Sequence, residues 1–195
     1  MFKRLIDITF SLFGILILVP LFLFISIRIM LDSKGGILYK QVRVGKEGKD
    51  FILLKFRTMF VDSDKKGLLT VGTNDRRITK VGKFLRDYKL DELPQLINVF
   101  IGDMSLVGPR PEVRKYVNLY SKEQLKVLSI RPGITDYASI QYFNENELLG
   151  KTNDPEKVYI NEIMPSKLAM NLNYMKERSF LTDLKIMAAT IKKIF

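Results

Sequence analysis

The sequence predicts an α+β fold that is mostly helical, carries one β-hairpin, and is anchored by an N-terminal membrane helix. Three observations carry this expectation. Residues 8–27 are twenty consecutive uncharged, mostly apolar positions between Asp7 and Arg28, the length needed to cross a bilayer. Residues 37–45 and 50–59 are rich in β-branched and aromatic side chains and flank the sequence GKEGK, as two strands of a hairpin would. Beyond Arg76, apolar residues recur at helical spacing.

Composition bounds the rest. A chain of 195 residues with 47% hydrophobic content buries one sizeable core, so one domain with an appendage is expected. The division falls at residues 1–34, the membrane helix, and 35–195, the remaining domain. The 32 Lys and Arg against 21 Asp and Glu leave a net charge of +11, which suits an anionic partner such as nucleic acid, a phosphorylated substrate or an anionic membrane leaflet. Cys and His are both absent, which excludes a thiolate nucleophile, an imidazole base and the common zinc sites. Carboxylates, Lys, Arg, Tyr and hydroxyls must do any chemistry.

The first element, residues 8–27, is apolar all the way round, unlike the helix of a soluble core. No small-residue cleavage site follows it, so a removed signal peptide fits less well. Pro20 lies near its middle and predicts a kink. Lys3 and Arg4 precede the run, and Arg28, Lys34 and Lys40 follow it. A straight span would strand one basic flank on the outer side, whereas a helix bent at Pro20 and re-entering its own leaflet keeps both inside. Both topologies stay open at this point. Ser11, Gly14 and Ser26 are available to satisfy backbone groups freed at the break.

In the hairpin, Lys55 and Arg57 are two apart and share a face, which alone suggests a solvated strand surface. Residues 60–75 read as a polar loop, with the length of a lid. Residues 76–88, RRITKVGKFLRDY, read as an amphipathic helix with a basic face. Residues 90–102 follow as a helix with Asp91, Glu92 and Pro94 in its first turn. Acids and proline are favoured there for structural reasons alone. GDMSLVGPRP, residues 102–111, is a rigid Gly- and Pro-rich loop aiming Arg110, and RPGIT, residues 131–135, repeats the arrangement with Arg131. Guanidinium groups of Arg86, Arg110 and Arg131 around two carboxylates would suit a pyrophosphate with a divalent cation. Neither a Walker-type phosphate loop nor a dinucleotide GxGxxG is present. The last helix, residues 180–195, has Phe180, Leu184, Met187 and Ile191 on one face, for core packing or, alternatively, for the membrane interface.

KFRTM at 55–59, GKFLRDYKLDELPQLINVFIGDMSLVGPRP at 82–111, RPGIT at 131–135 and SFLTDLKIM at 179–187 closely resemble the bacterial sugar transferases known as monotopic phosphoglycosyl transferases, in their small form. The resemblance covers nearly the whole chain. It implies transfer of a sugar 1-phosphate from a UDP-sugar to polyprenol (undecaprenyl) phosphate, releasing UMP, with Mg²⁺ as cofactor. It implies Asp91 as a nucleophile forming an aspartyl sugar-phosphate, and Glu92 as its partner in holding the metal or activating the lipid phosphate. Lys55, Arg86, Arg110 with Pro111, and Arg131 would bind substrate, and Asp183 would support them. The family also favours the re-entrant helix, with the catalytic domain on the cytoplasmic face of the bacterial inner membrane. Two departures touch sugar recognition: residues 136–159 lack the Gly-Trp-Ala-Gln segment of many relatives, and Asn171 and Asn173 stand near Tyr174 where an acid is frequent. Tyr137, Gln141 and Asn144 are further polar groups of that region.

The alternative from another class is a non-catalytic, membrane-tethered basic module binding nucleic acid or anionic lipid. No helix-turn-helix, RRM or zinc motif supports nucleic acid as a partner.

Overall fold

The computed structural model describes residues 2–63 and 75–194. The lid reading of residues 60–75 falls mostly outside them. The chain begins with α1 (Phe2–Asp32), a single continuous helix containing Pro20. The hairpin follows as β1 (Leu38–Val44) and β2 (Asp50–Phe56), antiparallel and in register from Leu38 opposite Phe56 to Val44 opposite Asp50. It is tightened by a short 3₁₀ turn in which Glu47 has φ 58°. Helix α2 (Lys80–Asp87), a 3₁₀ turn at Leu90–Glu92 and α3 (Gln95–Ile101) come next. The predicted start of α2 at Arg76 moves to Lys80 for a local reason. Ile78 bridges to Met59, and the Thr79 hydroxyl then caps the helix by accepting from the Gly82 N–H at 2.9 Å.

Two three-residue strands, β3 (Ser105–Val107) and β4 (Gly133–Thr135), pair in parallel. This pairing is not written in the hydrophobic pattern. It depends on two glycines: a Cβ on Gly133 would lie 2.1 Å from the Gly108 nitrogen, and one on Gly108 would lie 2.6 Å from the Arg131 carbonyl oxygen. The two Arg-Pro motifs are thereby brought side by side. Short helices α4 (Arg114–Val117), α5 (Tyr137–Gln141), α6 (Glu145–Gly150) and α7 (Pro155–Val158) lead through a π-helical turn at Tyr159–Ile163 into α8 (Met164–Glu177), and α9 (Phe180–Ile194) ends the chain.

Helix α1 is held to the body at both ends. Near its start, the Arg4 guanidinium donates to the Val99 and Phe100 carbonyls at the end of α3 (2.6 and 2.8 Å). Asp7 accepts from the Ser105 hydroxyl and the Leu106 N–H, both at 3.0 Å. Near its end, Ile25 and Ile29 pack with Phe56 and Leu85, and Asp32 accepts from the Val81 N–H in the first turn of α2 at 3.0 Å. Arg57 was expected on a solvated strand face. It is buried instead, donating to the Ser33, Lys34 and Gly36 carbonyls and the Ser33 hydroxyl just past the C-terminus of α1. The middle of α1 is exposed and apolar, including Phe13, Leu16, Ile17 and Phe24, and the helix is long and apolar enough to cross a membrane. Ser11 and Ser26 donate to Ile8 and Phe22 carbonyls of their own helix, away from the Leu16 carbonyl opposite Pro20.

The C-terminal stripe also differs from its core-packing expectation. Phe180, Leu184 and Ile191 are exposed, and α9 packs through Ile186 against Val107 and Tyr174.

Candidate active site

The two acids sit in the 3₁₀ turn between α2 and α3, not in the first turn of a longer helix. Lys89 ahead of them has φ 55°, a left-handed conformation that costs a non-glycine residue energy. Pro94 behind them has φ −60° and starts α3. The turn is thus pinned on both sides, and the Asp91 and Glu92 side chains leave it with different surroundings.

Glu92 lies between two cations. Lys55 Nζ donates to its Oε1 at 2.8 Å, and the Arg110 guanidinium reaches both of its oxygens. Each cation has its own positioning device. Asn98 of α3 accepts from the Leu54 N–H (3.0 Å) and donates to the Ile52 carbonyl (2.7 Å), which fixes β2, and hence Lys55, against the acids. Asp136 accepts from the Arg110 N–H (3.1 Å) and the Ser139 N–H (2.6 Å) and so holds the loop that aims Arg110. Sequence reading missed Asn98 and Asp136. Their signal was a polar residue inside an apolar helix and an acid directly after RPGIT.

Burial alone would raise the Glu92 carboxyl, but Arg110 and then Lys55 outweigh it and hold Glu92 well below the usual carboxylate range. Glu92 thus serves as the shared acceptor that orients two cations. Asp91 is 8% exposed, and among the described residues no hydrogen bond or ion pair reaches its carboxylate. Burial pushes it up, and the neighbouring Glu92 charge adds to this, while Lys55, Arg86 and Lys89 act at longer range in the other direction. Burial also lowers Lys55 and Lys89, partly offset by Glu92.

These groups line a cavity of about 790 Å³. Its lining combines Lys55, Arg86, Asp91, Glu92 and Arg110 with apolar side chains that include Leu96, Leu106, Ile140, Met187 and Ile191. Lys89 and Lys193 both lie over the Phe143 ring in this cavity, 4.6 and 5.9 Å from its centroid.

Three predicted site residues are elsewhere. Arg131 is exposed and donates from Nε to the Gly102 carbonyl at 2.7 Å, because the parallel pairing turns its side chain away from the cavity. Asp183 accepts from the Tyr174 hydroxyl at 2.6 Å and pairs with Lys3, tying α9 to the start of α1. Pro111 accepts from Arg43 through its carbonyl and lines a separate, smaller cavity behind Arg110.

A divalent cation fits this donor set in one particular way. No group of three or more acidic side chains forms a cage among the described residues. Mg²⁺, however, is commonly held by one or two carboxylates together with substrate phosphates. Asp91, with its unengaged oxygens, is the residue that matches; both Glu92 oxygens are taken by Lys55 and Arg110.

A family model described as bacterial sugar transferase matches residues 1–195. The chain is 36% identical over 98% of its length to the uncharacterized sugar transferase EpsL of Bacillus subtilis, of which it covers 86%. It is 38% identical over its full length to the UDP-glucose:undecaprenyl-phosphate glucose-1-phosphate transferase of Klebsiella pneumoniae. It is 35% identical over 98% of its length to the UDP-N-acetylgalactosamine-undecaprenyl-phosphate N-acetylgalactosaminephosphotransferase of Aeromonas hydrophila. The chain spans only 40% and 43% of the lengths of these last two relatives.

Proposed function

Because the chain belongs to the bacterial sugar transferase family, we propose that it transfers a sugar 1-phosphate from a UDP-sugar to polyprenyl phosphate, with Asp91 as nucleophile. The reading of a non-catalytic basic module is set aside by that membership. The observation that carries the mechanism is the contrast between neighbours: Glu92 is locked by Lys55 and Arg110, while Asp91 is buried with no partner among the described residues.

An Asp91 oxygen attacks the phosphorus that bears the sugar. The bond from that phosphorus to the bridging oxygen breaks, UMP leaves with the electron pair, and an aspartyl sugar-phosphate remains. An oxygen of polyprenyl phosphate then attacks the same phosphorus, the bond to Asp91 breaks, and the carboxylate returns as polyprenyl diphosphate-sugar departs. Arg110 and Lys55, oriented by Glu92, face the phosphoryl oxygens and stabilise the charge that builds on them. Arg86 lines the same cavity and adds to the field at Asp91. Asp91 would hold Mg²⁺ together with substrate phosphate oxygens, and the ion would supply further charge neutralisation there.

We place this chemistry on the cytoplasmic face of the inner membrane, with α1 re-entering the leaflet at Pro20. Supporting this, both ends of α1 dock on the same body, through Asp7 and through Asp32 and Arg57. The exposed Phe2 and Phe180 rings also meet 6.2 Å apart, joining the apolar surfaces of α1 and α9. A Phe2→Cys variant, the sole thiol of the chain, is expected to react with impermeant reagent only from the cytoplasmic side; labelling from outside alone overturns the topology.

The mechanism predicts two separable half-reactions. Mixing enzyme with UDP-sugar and no lipid acceptor should release about one UMP per site in a burst and leave a sugar-phosphate mass on the peptide containing Asp91. Strict dependence of UMP release on the acceptor would rule out the covalent route.

A further inference from the structure

Among the cations that line the large cavity, Lys55 and Arg110 are paired with Glu92, and Lys167 is paired with Glu145. Lys89 and Lys193 differ from these. Both line the cavity and both lie over the Phe143 ring, yet among the described residues no hydrogen bond or ion pair reaches either ammonium. Lys89 is half-buried and stands two positions ahead of Asp91, in the left-handed conformation that opens the turn. Lys193 comes from the last turn of α9, and Phe143 from the link between α5 and α6. Three separate segments thus bring these side chains to one place. Leaving a half-buried cation unpaired is costly, and a cavity that keeps one there suits an anion supplied by a ligand.

Helix α9 adds an apolar part to this cation. Met187, Ile191 and Ile194 follow one another at helical spacing and line the same cavity, so one helix carries an apolar stripe with an ammonium at its end. The Thr190 and Thr135 hydroxyls bond at 2.6 Å, which fixes this part of α9 against β4. A lysine at a helix C-terminus also complements the macrodipole, and that explanation serves Lys192 and Lys193 alike. Of the two, Lys193 is the one that lines the cavity and meets Phe143.

The chemistry identifies the anion. Displacement at phosphorus keeps the attacking and leaving oxygens roughly in line. When Asp91 attacks the sugar-bearing phosphorus, the UMP oxygen leaves from the opposite side with the electron pair of its bond. When polyprenyl phosphate attacks the aspartyl sugar-phosphate, its oxygen enters opposite the Asp91 oxygen, on the side that UMP left, and the electrons of the breaking bond return to the carboxylate. One phosphate monoester therefore follows another through one place. Resting on the reaction assigned above, we propose that Lys89 and Lys193, gathered at Phe143, form that place, holding the phosphate of UMP as it leaves and that of polyprenyl phosphate as it attacks. The polyprenyl chain then runs along Met187, Ile191 and Ile194, while Lys55 and Arg110 stay on the phosphoryl group being transferred.

The test uses the full chain in lipid nanodiscs, with UMP and polyprenyl phosphate as the two monoesters. UMP should inhibit transfer competitively against polyprenyl phosphate. Lys89→Met keeps the stem and the backbone conformation, and it should raise both the inhibition constant of UMP and the KM for polyprenyl phosphate by about tenfold or more, as loss of a charge-assisted hydrogen bond does. Lys89→Arg should restore most of both. Lys193→Met should have the same paired effect, whereas Lys192→Met, which removes the same charge from the same helix turn, should leave both constants within about twofold. Phe143→Leu should raise both about two- to fivefold. Non-competitive inhibition by UMP, a Lys89→Met effect confined to one monoester, or equal effects of Lys192→Met and Lys193→Met overturn the shared site while leaving the reaction intact. A Lys193→Met effect seen in nanodiscs containing phosphatidylglycerol and absent in pure phosphatidylcholine assigns that ammonium to the membrane surface and overturns its part in the site. Lys89-dependent, mutually exclusive binding of the two monoesters by a protein that releases no UMP from any UDP-sugar overturns the reaction and leaves the site standing.

Discussion

Asp7, where α1 meets the body, and Asp91, lining the large cavity, are both buried carboxylates, 3% and 8% exposed. Their surroundings are opposite. Asp7 accepts from a hydroxyl and a backbone N–H, and beside it Arg4 donates to the Val99 and Phe100 carbonyls at the end of α3. Asp91 has no such partner among the described residues, although it lines the large cavity. The junction saturates its polar groups and so makes a fixed joint. Asp91 is left unsaturated, at a cost in stability, where a substrate can supply the partner. Burial alone does not separate structure from function in this protein; the state of the hydrogen bonds does.

The largest effect that would break this contrast is on Asp91. Asp91→Asn should lower the rate of UMP release by about a thousandfold or more, equivalent to about 4 kcal/mol of barrier. Its thermal midpoint should not fall, since no hydrogen bond of the folded chain is lost. Residual turnover near wild type would show that Asp91 is a structural acid like Asp7.

Asp7→Ala is the mirror experiment. It leaves the Ser105 hydroxyl and the Leu106 N–H without their acceptor, at a cost of about 1–3 kcal/mol. At roughly 2–4 °C per kcal/mol for a chain of this size, the midpoint in nanodiscs should drop by several degrees. The folded fraction should still release UMP at close to the wild-type rate. A stable but inactive variant would move Asp7 from the joint to the chemistry.

The same contrast explains what could be read from sequence. The apolar run of α1 and the hairpin were legible because periodicity and residue type determine them. Lys55, Arg86, Asp91, Glu92 and Arg110, which line one cavity, were picked out together only with the resemblance of their motifs to the family, and Arg131 was expected beside them because residue type says what a side chain can bind and nothing about where it points. Arg110 and Arg131 occupy similar Arg-Pro contexts, yet the parallel pairing of β3 with β4 sends one toward Glu92 and the other to the Gly102 carbonyl. That pairing involves two three-residue strands separated by 25 residues of chain, from 108 to 132, too short to leave a pattern. Asn98, Asp136 and Arg57 escaped for a related reason, since their partners lie far away in sequence and exist only once the chain has folded.

The smallest effect, and the sharpest test of the unsatisfied acid, is the dependence of stability on pH. Glu92 is depressed in the folded chain by Arg110 and Lys55 against the effect of burial. Its contribution is present above the ordinary carboxylate pKa and is lost as pH falls through its lower folded value. Asp91 runs the other way, because burial raises it above its ordinary value of 3.8. The ionised form is then the one the fold disfavours. The penalty is absent below the unfolded value, grows as pH rises from there, and is complete above the folded value. Asn mimics the protonated acid at every pH. The midpoint of Asp91→Asn should therefore match wild type at the acid end of the scan, exceed it progressively as pH rises from the ordinary value of 3.8 toward the folded pKa of Asp91, and exceed it by a constant amount above that. Melting curves of the two proteins at matched pH read this difference directly. A difference that is constant with pH, or one that favours wild type at neutral pH, would mean that the Asp91 carboxylate is satisfied in the folded chain and that the contrast with Asp7 does not hold.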